Sequence, residues 1–270
     1  MDLRKLVLQR GGEKMYQLPM LAKVPGLMHG FLTHKEGNQG YGFGDPRWRV
    51  IENRAQFLRA VCPTRDEFPF LSSVCMAPLQ KGHEEEIRIV GPGDVGRGMD
   101  GRRDVPCEAM VTDSPNILLY LAVADCLPVI LLDPQKGILA LVHAGRESTL
   151  RKIPVKTIRM MQEKFKVDPA DVLVGMGPGI RSYILQRLPA GLNDDSLWQT
   201  NCHPARRGFL LDLHGYNRDP LISAGVPEEQ IEECPNDTFT DPQFFSHRRS
   251  SETGDPEGRH ACAVGMVPIE

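Results

Sequence analysis

Several features that would assign this protein to a specialised class are missing from its 270 residues. No apolar run reaches the roughly 18 residues that a membrane-spanning helix requires, and the nearest, at 118–132, is interrupted by Asp125. The formal net charge is only −3, so the chain has no overall basic field that would attract a nucleic acid. The sequence therefore predicts a globular protein whose partners are neither membranes nor nucleic acids.

Closely paired cysteines are missing as well. The seven cysteines are odd in number and scattered, and no C-x-x-C pair is present, so a disulfide framework is not indicated. Residues 1–21 contain neither an apolar signal core nor a small-residue cleavage site, so no signal peptide is expected. Both observations favour a protein of the reducing cytoplasm.

Nucleotide-binding signatures are absent or incomplete. No P-loop pattern occurs. Residues 96–101 have the glycine spacing of a dinucleotide fingerprint, but residues 102–106 do not open the helix that must follow it. We therefore expect a loop here and not a Rossmann-type site.

The composition, 41% hydrophobic and 25% charged, is that of an ordinary globular protein with an ample core. No composition break or internal repeat divides the chain. Apolar periodicity predicts helices near 50–61, 154–166 and 212–224, among short apolar runs of strand length. The sequence thus predicts one α+β domain over residues 1–270, with antiparallel strands and flanking helices.

A predicted hairpin at 127–142 brings two reactive side chains together. Its strands are joined by the turn at 133–137, and facing Leu132 with Ile138 places Cys126 opposite Ala144, within about one residue. Cys126 and His143 then lie beside each other at the same end of the hairpin. A thiol next to an imidazole indicates metal binding or nucleophilic chemistry, although an isolated strand cysteine is more often buried core.

Two further clusters allow more than one interpretation. His83 stands before three glutamates, a pattern that on its own favours a solvated charged turn. Arg248 and Arg249 follow His247, and they form either a solvated basic patch or a clamp for a phosphate or carboxylate.

From about residue 27 to its end, the chain resembles the YfiH-like laccase-domain family, which is also labelled purine nucleoside phosphorylase or multicopper polyphenol oxidoreductase. The resemblance is carried, in chain order, by His29-Gly30-Phe31 with Thr33, Glu52-Asn53-Arg54, Ala124-Asp125-Cys126-Leu127-Pro128-Val129, His143-Ala144-Gly145, Gly177-Pro178-Gly179-Ile180 and Phe244-Phe245-Ser246-His247-Arg248-Arg249. The second His motif lies 17 residues after the Cys motif, and this pair is the most specific element.

The resemblance implies two mixed, mostly antiparallel sheets between helical layers, similar to the catalytic domain of cytotoxic necrotizing factor. It also implies a zinc site made of His83, Cys126 and His143, with copper as a less favoured metal. His83 matches by position, although its flanking residues differ from the family pattern. The substrates implied are a small purine nucleoside and phosphate.

The reaction implied is phosphorolysis of adenosine- or inosine-type nucleosides, or adenosine deamination. Three zinc ligands leave a fourth position for a water whose pKa falls towards about 7, which suits deamination. For phosphorolysis, Arg248 and Arg249 are the phosphate candidates. Asp125 is expected to orient His143 or act as a general base.

Two more residues complete the predicted substrate and phosphate site. His29 belongs to the first family motif, and Arg146 offers a positive charge directly after the second His motif. Here the family usually has Trp-Arg-Gly, whereas this chain has Arg146-Glu147-Ser148. His34 also replaces an expected arginine, and the paired cysteines expected after Ile180 are missing.

Three alternatives remain open on the sequence. One is a copper-dependent phenol oxidase, which the eight histidines and the lack of any His-x-His pair disfavour. The second is a Cys–His hydrolase in which Cys126 attacks the substrate. The third is a non-catalytic nucleoside- or protein-binding paralogue, supported by the changes at Arg146-Glu147-Ser148 and His34.

Overall fold

The computed structural model describes residues 7–10, 13–62, 73–77, 86–102, 105–181, 183–185, 196–206 and 208–267. The strands in these ranges are β1 (Val7–Arg10), β2 (Glu13–Tyr16), β3 (Leu27–Leu32), β4 (Ser73–Ala77), β5 (Ile87–Ile89), β6 (Val105–Pro106), β7 (Ala109–Thr112), β8 (Leu118–Val123), β9 (Leu127–Asp133), β10 (Ile138–Ala144), β11 (Leu173–Met176), β12 (Tyr183–Leu185), β13 (Cys202–Ala205), β14 (Gly208–Leu211), β15 (Ile231–Glu233) and β16 (His260–Met266). The helices are α1 (Arg47–Val61), α2 (Arg146–Leu150), α3 (Ile153–Phe165), α4 (Ser196–Asn201), α5 (Leu213–Ser223) and α6 (His247–Thr253).

The described strands form two large mixed sheets and one small sheet. The first has the order β1-β2-β3-β16-β8-β4-β6, and the second has the order β15-β11-β9-β10-β7-β5. A three-stranded sheet, β12-β14-β13, completes them. The strands of the predicted hairpin, β9 and β10, are central in the second sheet.

The main core lies between the two large sheets. Because side chains alternate across a strand, each sheet directs every second apolar residue into this layer. Leu119 and Leu121 of the first sheet pack there with Ile130 and Leu139 of the second. The positions between them face the helices on the outside.

Helices cover the outer face of each large sheet. Phe57 and Leu58 of α1 pack on the first sheet, in a cluster that includes Tyr120. Ile158 and Met161 of α3 pack on the second sheet. The predicted arrangement of two sheets between helical layers in an α+β fold is therefore confirmed.

The hairpin register differs from the predicted one by a single residue. Leu132 pairs with Leu139 and Asp133 pairs with Ile138, so Asp133 belongs to the strand and not to the turn. Its buried carboxylate accepts hydrogen bonds from the backbone amides of Gln135 and Lys136, which closes the tighter turn. Cys126 is therefore level with Gly145, one position beyond the predicted Ala144.

The three predicted helices exist, and the described ranges contain three further α-helices. Helix α1 begins after Pro46, three residues earlier than predicted, and α5 begins after Asp212, whose carboxylate caps it. Helices α2, α4 and α6 were not predicted, because each has five to seven residues and too few turns for an apolar period. No helix in the described ranges is long and apolar enough to cross a membrane.

Candidate active site

Cys126 and His143 meet at one end of the layer between the large sheets. Cys126 lies in the turn between β8 and β9, and His143 is the penultimate residue of β10. A Cβ atom built on Gly145 would lie 3.0 Å from the Cys126 sulfur and 3.1 Å from Nε2 of His143. The thiol and the imidazole therefore flank the same glycine, and their side chains share a hydrogen bond.

The other ring nitrogen of His143 is held by Glu108. Nδ1 lies 2.5 Å from Oε2 of Glu108, and the His143 amide donates to the Glu108 carbonyl oxygen at 2.8 Å. The Glu108 side chain is only 5% exposed, so little water competes for this contact. Fixing Nδ1 in this way leaves Nε2 as the nitrogen that faces Cys126.

Glu108 is itself part of a chain of ion pairs that leads to the surface. Its Oε1 accepts from the Arg151 guanidinium at 3.3 Å, and Arg151 also donates to Glu86 at 2.8 Å. Lys156 of α3 contacts the second oxygen of Glu86 at 2.7 Å. Opposite charges thus alternate from the site to the outer helix.

These neighbours decide the charge of the His143 ring. Burial on its own lowers the pKa of a histidine, but the Cys126 sulfur and the Glu108 carboxylate together raise the pKa of His143 to about 10. Both neighbours therefore favour a proton on the His143 ring when no metal is bound. A metal at Nε2 would replace that proton.

The Asp125 carboxylate contacts residues other than His143, so it does not orient that ring, and its alternative role as a general base stays a prediction. Its Oδ1 accepts from the Thr238 hydroxyl at 2.8 Å, and its Oδ2 accepts from the Arg248 amide at 2.7 Å. The backbone of Asp125 is left-handed, with φ of 73°, and its carbonyl oxygen accepts from the Ile180 amide. Asp125 therefore joins the Cys126 turn to two loops and to the start of α6.

Arg249 does not offer a free anion clamp. Its terminal nitrogens donate to the carbonyl oxygens of Thr238, Phe239 and Phe244, at distances between 2.6 and 3.0 Å. Its Nε pairs with Asp255 at 2.8 Å. Backbone carbonyls and a carboxylate thus occupy the donors of Arg249. This arginine holds neighbouring segments together and is not available to bind phosphate as predicted.

The neighbouring Arg248 is more open. Its Nε donates to Glu252 one helical turn later, and its side chain is 31% exposed. Its backbone amide, and not its guanidinium, contacts Asp125. Phosphate binding by Arg248 stays a prediction.

His29 is a core residue, contrary to the prediction that it binds substrate. It is fully buried, and its Nε2 accepts from the Leu18 amide at 2.9 Å. Burial lowers the pKa of His29 to about 4. A neutral, enclosed ring cannot reach a substrate without local unfolding.

The structure does not test the predicted roles of Arg146 and His83. Arg146 opens α2 directly after Gly145, and its half-exposed side chain donates to Glu147. Its role in substrate binding stays a prediction. His83, the predicted third metal ligand, lies outside the described residues.

Arg259 is a cation of this site that the sequence analysis missed. Its guanidinium lies over the Phe43 ring at 3.8 Å and interacts electrostatically with both Cys126 and Asp125. Burial lowers the pKa of Arg259 from its usual value, while these neighbours and Glu257 favour the cation. No sequence pattern pointed to it, because an arginine before a closing strand has no distinctive spacing.

The donor set fits a thiolate- and imidazole-binding metal. A cysteine sulfur and a histidine nitrogen, with a carboxylate on the far side of that histidine, are the ligands and outer contact typical of zinc and copper sites. The described ranges contain no group of three or more possible metal ligands among His, Cys, Asp and Glu. Cys126 and His143 are thus two possible donors, one fewer than the three protein ligands typical of a catalytic zinc site.

Comparisons with known proteins agree with the fold. A family model described as multi-copper polyphenol oxidoreductase laccase matches residues 26–267. The Geobacillus stearothermophilus protein named purine nucleoside phosphorylase YlmD is 31% identical over 241 residues, covering 84% of this chain and 82% of the relative. A Mycobacterium tuberculosis protein, also named purine nucleoside phosphorylase, is 32% identical over 237 residues, covering 85% and 84%.

Solved structures give the same result. YlmD from Geobacillus stearothermophilus superposes with a TM-score of 0.81 at 27% identity, over 97% of this chain and 99% of that one. The Bacillus licheniformis protein YfiH superposes with a TM-score of 0.75 at 27% identity, over 89% of this chain and 92% of that one.

Proposed function

Because the chain belongs to the multi-copper polyphenol oxidoreductase laccase family, whose relatives include named purine nucleoside phosphorylases, we propose that it cleaves purine nucleosides with phosphate. The observation that carries the proposal is the Cys126–His143 pair with Glu108 behind it. Adenosine- and inosine-type nucleosides are the substrates that this proposal names.

The proposed reaction replaces the glycosidic bond of the nucleoside with a bond from the ribose to phosphate. An oxygen of hydrogen phosphate forms a bond to C1′ of the ribose as the bond from C1′ to the purine nitrogen breaks. The bonding electron pair leaves with the base, which takes the proton from the phosphate. The products are the free base and ribose 1-phosphate, so atoms and charge balance without a redox partner.

Cys126 and His143 hold zinc in this proposal, and His83 is the third ligand. When bound, the metal supplies a Lewis acid that attracts the phosphate oxygens or, for deamination, activates a water. Glu108 holds the His143 ring so that Nε2 stays directed to the metal position. Asp125 keeps Cys126 in place through its contacts to Thr238 and to the start of α6.

A copper-dependent phenol oxidase is the second candidate, because the matching family model is described by that chemistry. A cluster of several coppers needs many grouped imidazoles. Among the described histidines, His29, His214 and His260 are buried. Their pKa values are lowered, chiefly by burial. This distribution favours a single-metal site over a multi-copper cluster.

Product analysis tests the proposal. Zinc-loaded protein in a phosphate-free buffer is incubated with adenosine or inosine, with and without phosphate, and the products are separated by chromatography. Free base that forms only with phosphate is the expected result. Inosine from adenosine without phosphate would indicate deamination, and no product in any arm would contradict an enzyme acting on these nucleosides.

Two variants link the activity to the site. Cys126→Ala should abolish base release and reduce the zinc content, because it removes a ligand. Cys202→Ala removes a thiol from the small sheet and should change neither. An active Cys126→Ala protein with unchanged zinc would contradict the proposed role of this thiol.

A further inference from the structure

Backbone hydrogen bonds and the packing of its aliphatic carbons hold Arg259 in position. Its amide donates to Oδ1 of Asn38 at 2.9 Å, and its carbonyl oxygen accepts from the Gln39 amide at 2.8 Å. The side chain then crosses Gly40 so closely that a Cβ there would lie 2.6 Å from Cγ of Arg259. The arginine is thus fixed before any ligand arrives.

The guanidinium has one occupied side and one open side. One terminal nitrogen donates to the Gly258 carbonyl oxygen at 2.7 Å and to Glu257 at 3.4 Å, while the plane lies over Phe43. Nε and the second terminal nitrogen of Arg259 donate to no residue in the described ranges. The side chain is 21% exposed, so a small ligand can reach the group while few water molecules surround it.

The Arg259 guanidinium is also close to the residues of the candidate site. His260 pairs with Val123 at the end of β8, so Arg259 lies beside the turn at 124–126 that carries Cys126. At this position the Arg259 charge interacts with Asp125 and Cys126. In contrast, the Arg249 donors are occupied by backbone carbonyls and Asp255, and Nε of Arg248 is paired with Glu252. Arg259 therefore combines a fixed guanidinium with unoccupied donors beside the site.

We propose that Arg259 is the phosphate-binding residue of this site and that Nε and its second terminal nitrogen hold two oxygens of inorganic phosphate next to Cys126. The guanidinium fork matches two oxygens of a tetrahedral anion, and stacking on Phe43 keeps the fork in one plane. This inference rests on the proposed phosphorolysis, because that reaction needs phosphate as a co-substrate. Arg259 would take the role that the sequence indicated for Arg248 and Arg249.

Kinetics with phosphate as the varied substrate test the inference. At saturating inosine in a phosphate-free buffer, Arg259→Gln should raise KM for phosphate about 10- to 100-fold, the usual loss for a charge-assisted pair. KM for inosine should change by less than about two-fold, and Arg259→Lys, which keeps the charge without the fork, should be intermediate. Arg97→Gln removes a guanidinium that pairs with Asp94 on another loop and should leave both constants unchanged.

A direct measurement of phosphate binding allows this inference to be tested apart from the proposed function. If the wild-type protein phosphorolyses inosine and Arg259→Gln keeps the wild-type KM for phosphate, the inference is wrong and the function stands. If the wild-type protein releases no base, the function fails, and line broadening of the inorganic phosphate ³¹P resonance decides the inference. Broadening by the wild type and by Arg97→Gln, but not by Arg259→Gln, supports it; equal broadening by all three, or none by the wild type, overturns it.

Folding is checked in each variant from its thermal transition. If Arg259→Gln unfolds because its stacking on Phe43 is lost, Arg259→Lys supplies the same comparison with the charge and the stem retained. A Lys variant with wild-type phosphate affinity would contradict a role for the guanidinium fork.

Discussion

The Nδ1 atom of His143 lies 2.5 Å from Oε2 of Glu108, and the same two residues are joined by a backbone hydrogen bond. The two contacts fix both the position of the ring and the nitrogen that faces Cys126. Glu108 is in turn paired with Arg151, so the carboxylate cannot rotate away without breaking a second contact. This pair is therefore the support on which the proposed metal ligand depends.

Glu108→Gln should weaken zinc binding about 10- to 100-fold, because the ring loses a charged partner that orients it and raises its basicity. Competition with a chromophoric chelator measures the affinity directly. Glu147→Gln is the control, since Glu147 is exposed and contacts Arg146 instead of His143. Equal zinc affinities in the wild type and Glu108→Gln would show that the contact has no influence on the metal.

Gly145→Ala should block the site without unfolding the protein. The backbone of Gly145 is extended, with φ of −81° and ψ of −177°, so alanine fits it. Its Cβ, however, would lie 2.9 Å from Cε1 of His143 and 3.0 Å from the Cys126 sulfur. We expect activity and zinc content to fall while the melting temperature changes little.

Gly91→Ala is the matched control for this change. Gly91 also precedes a helical turn in an extended conformation, and a Cβ there meets nothing within 4 Å. Its zinc content and activity should equal those of the wild type. Full activity in Gly145→Ala would mean that the thiol and the ring need not approach each other as closely as they do here.

Arg249→Met should destabilise the fold by about 2–4 kcal/mol, because several backbone carbonyls lose their donor at once. Arg248→Met removes one exposed helical ion pair and should cost no more than about 0.5 kcal/mol. Urea unfolding measures both free energies. A similar small loss of unfolding free energy in both variants would indicate that the contacts of Arg249 do not stabilise the fold.

Acid should destabilise the protein through three enclosed histidines. Burial lowers the pKa of His29 to about 4, and burial is also the main cause that lowers the pKa values of His214 and His260 to about 3. Because the unfolded chain binds these protons near pH 6.5, the contribution of these three histidines to stability is complete above that pH and falls as the pH decreases towards 4. Each histidine contributes a slope of about 1.4 kcal/mol per pH unit in that window.

Urea unfolding at several pH values measures that slope. His260→Phe should reduce it, since the ring lies against Phe244 in an apolar setting and phenylalanine takes up no proton. His203→Gln should leave it unchanged, because His203 is exposed in the folded protein. A slope that is the same in His260→Phe and in the wild type would contradict a neutral, buried His260.

Local patterns were enough to predict the hairpin, three helices and the Cys126–His143 pair. Apolar alternation and the turn residues fixed the hairpin to within one residue, because these are short-range properties of the chain. The remaining error came from Asp133, whose carboxylate forms a hydrogen-bonded cap on the turn and extends the strand.

The supporting residues of the site could not be predicted in the same way. Glu108 contacts His143 only because β7 pairs with β10 across 35 positions of sequence. Arg259 lies beside the Cys126 turn because β16 pairs with β8, and His29 accepts a hydrogen bond from Leu18 in another segment. Such contacts are set by the order of strands in the sheets, which hydrophobic periodicity does not specify.

The most direct test of the central proposal is a ³¹P spectrum of the reaction. Zinc-loaded protein with inosine and inorganic phosphate should produce a new phosphate monoester resonance, in an amount equal to the hypoxanthine released. The His143→Asn variant should produce neither. Hypoxanthine released without any monoester would indicate hydrolysis, and would contradict phosphorolysis at this site.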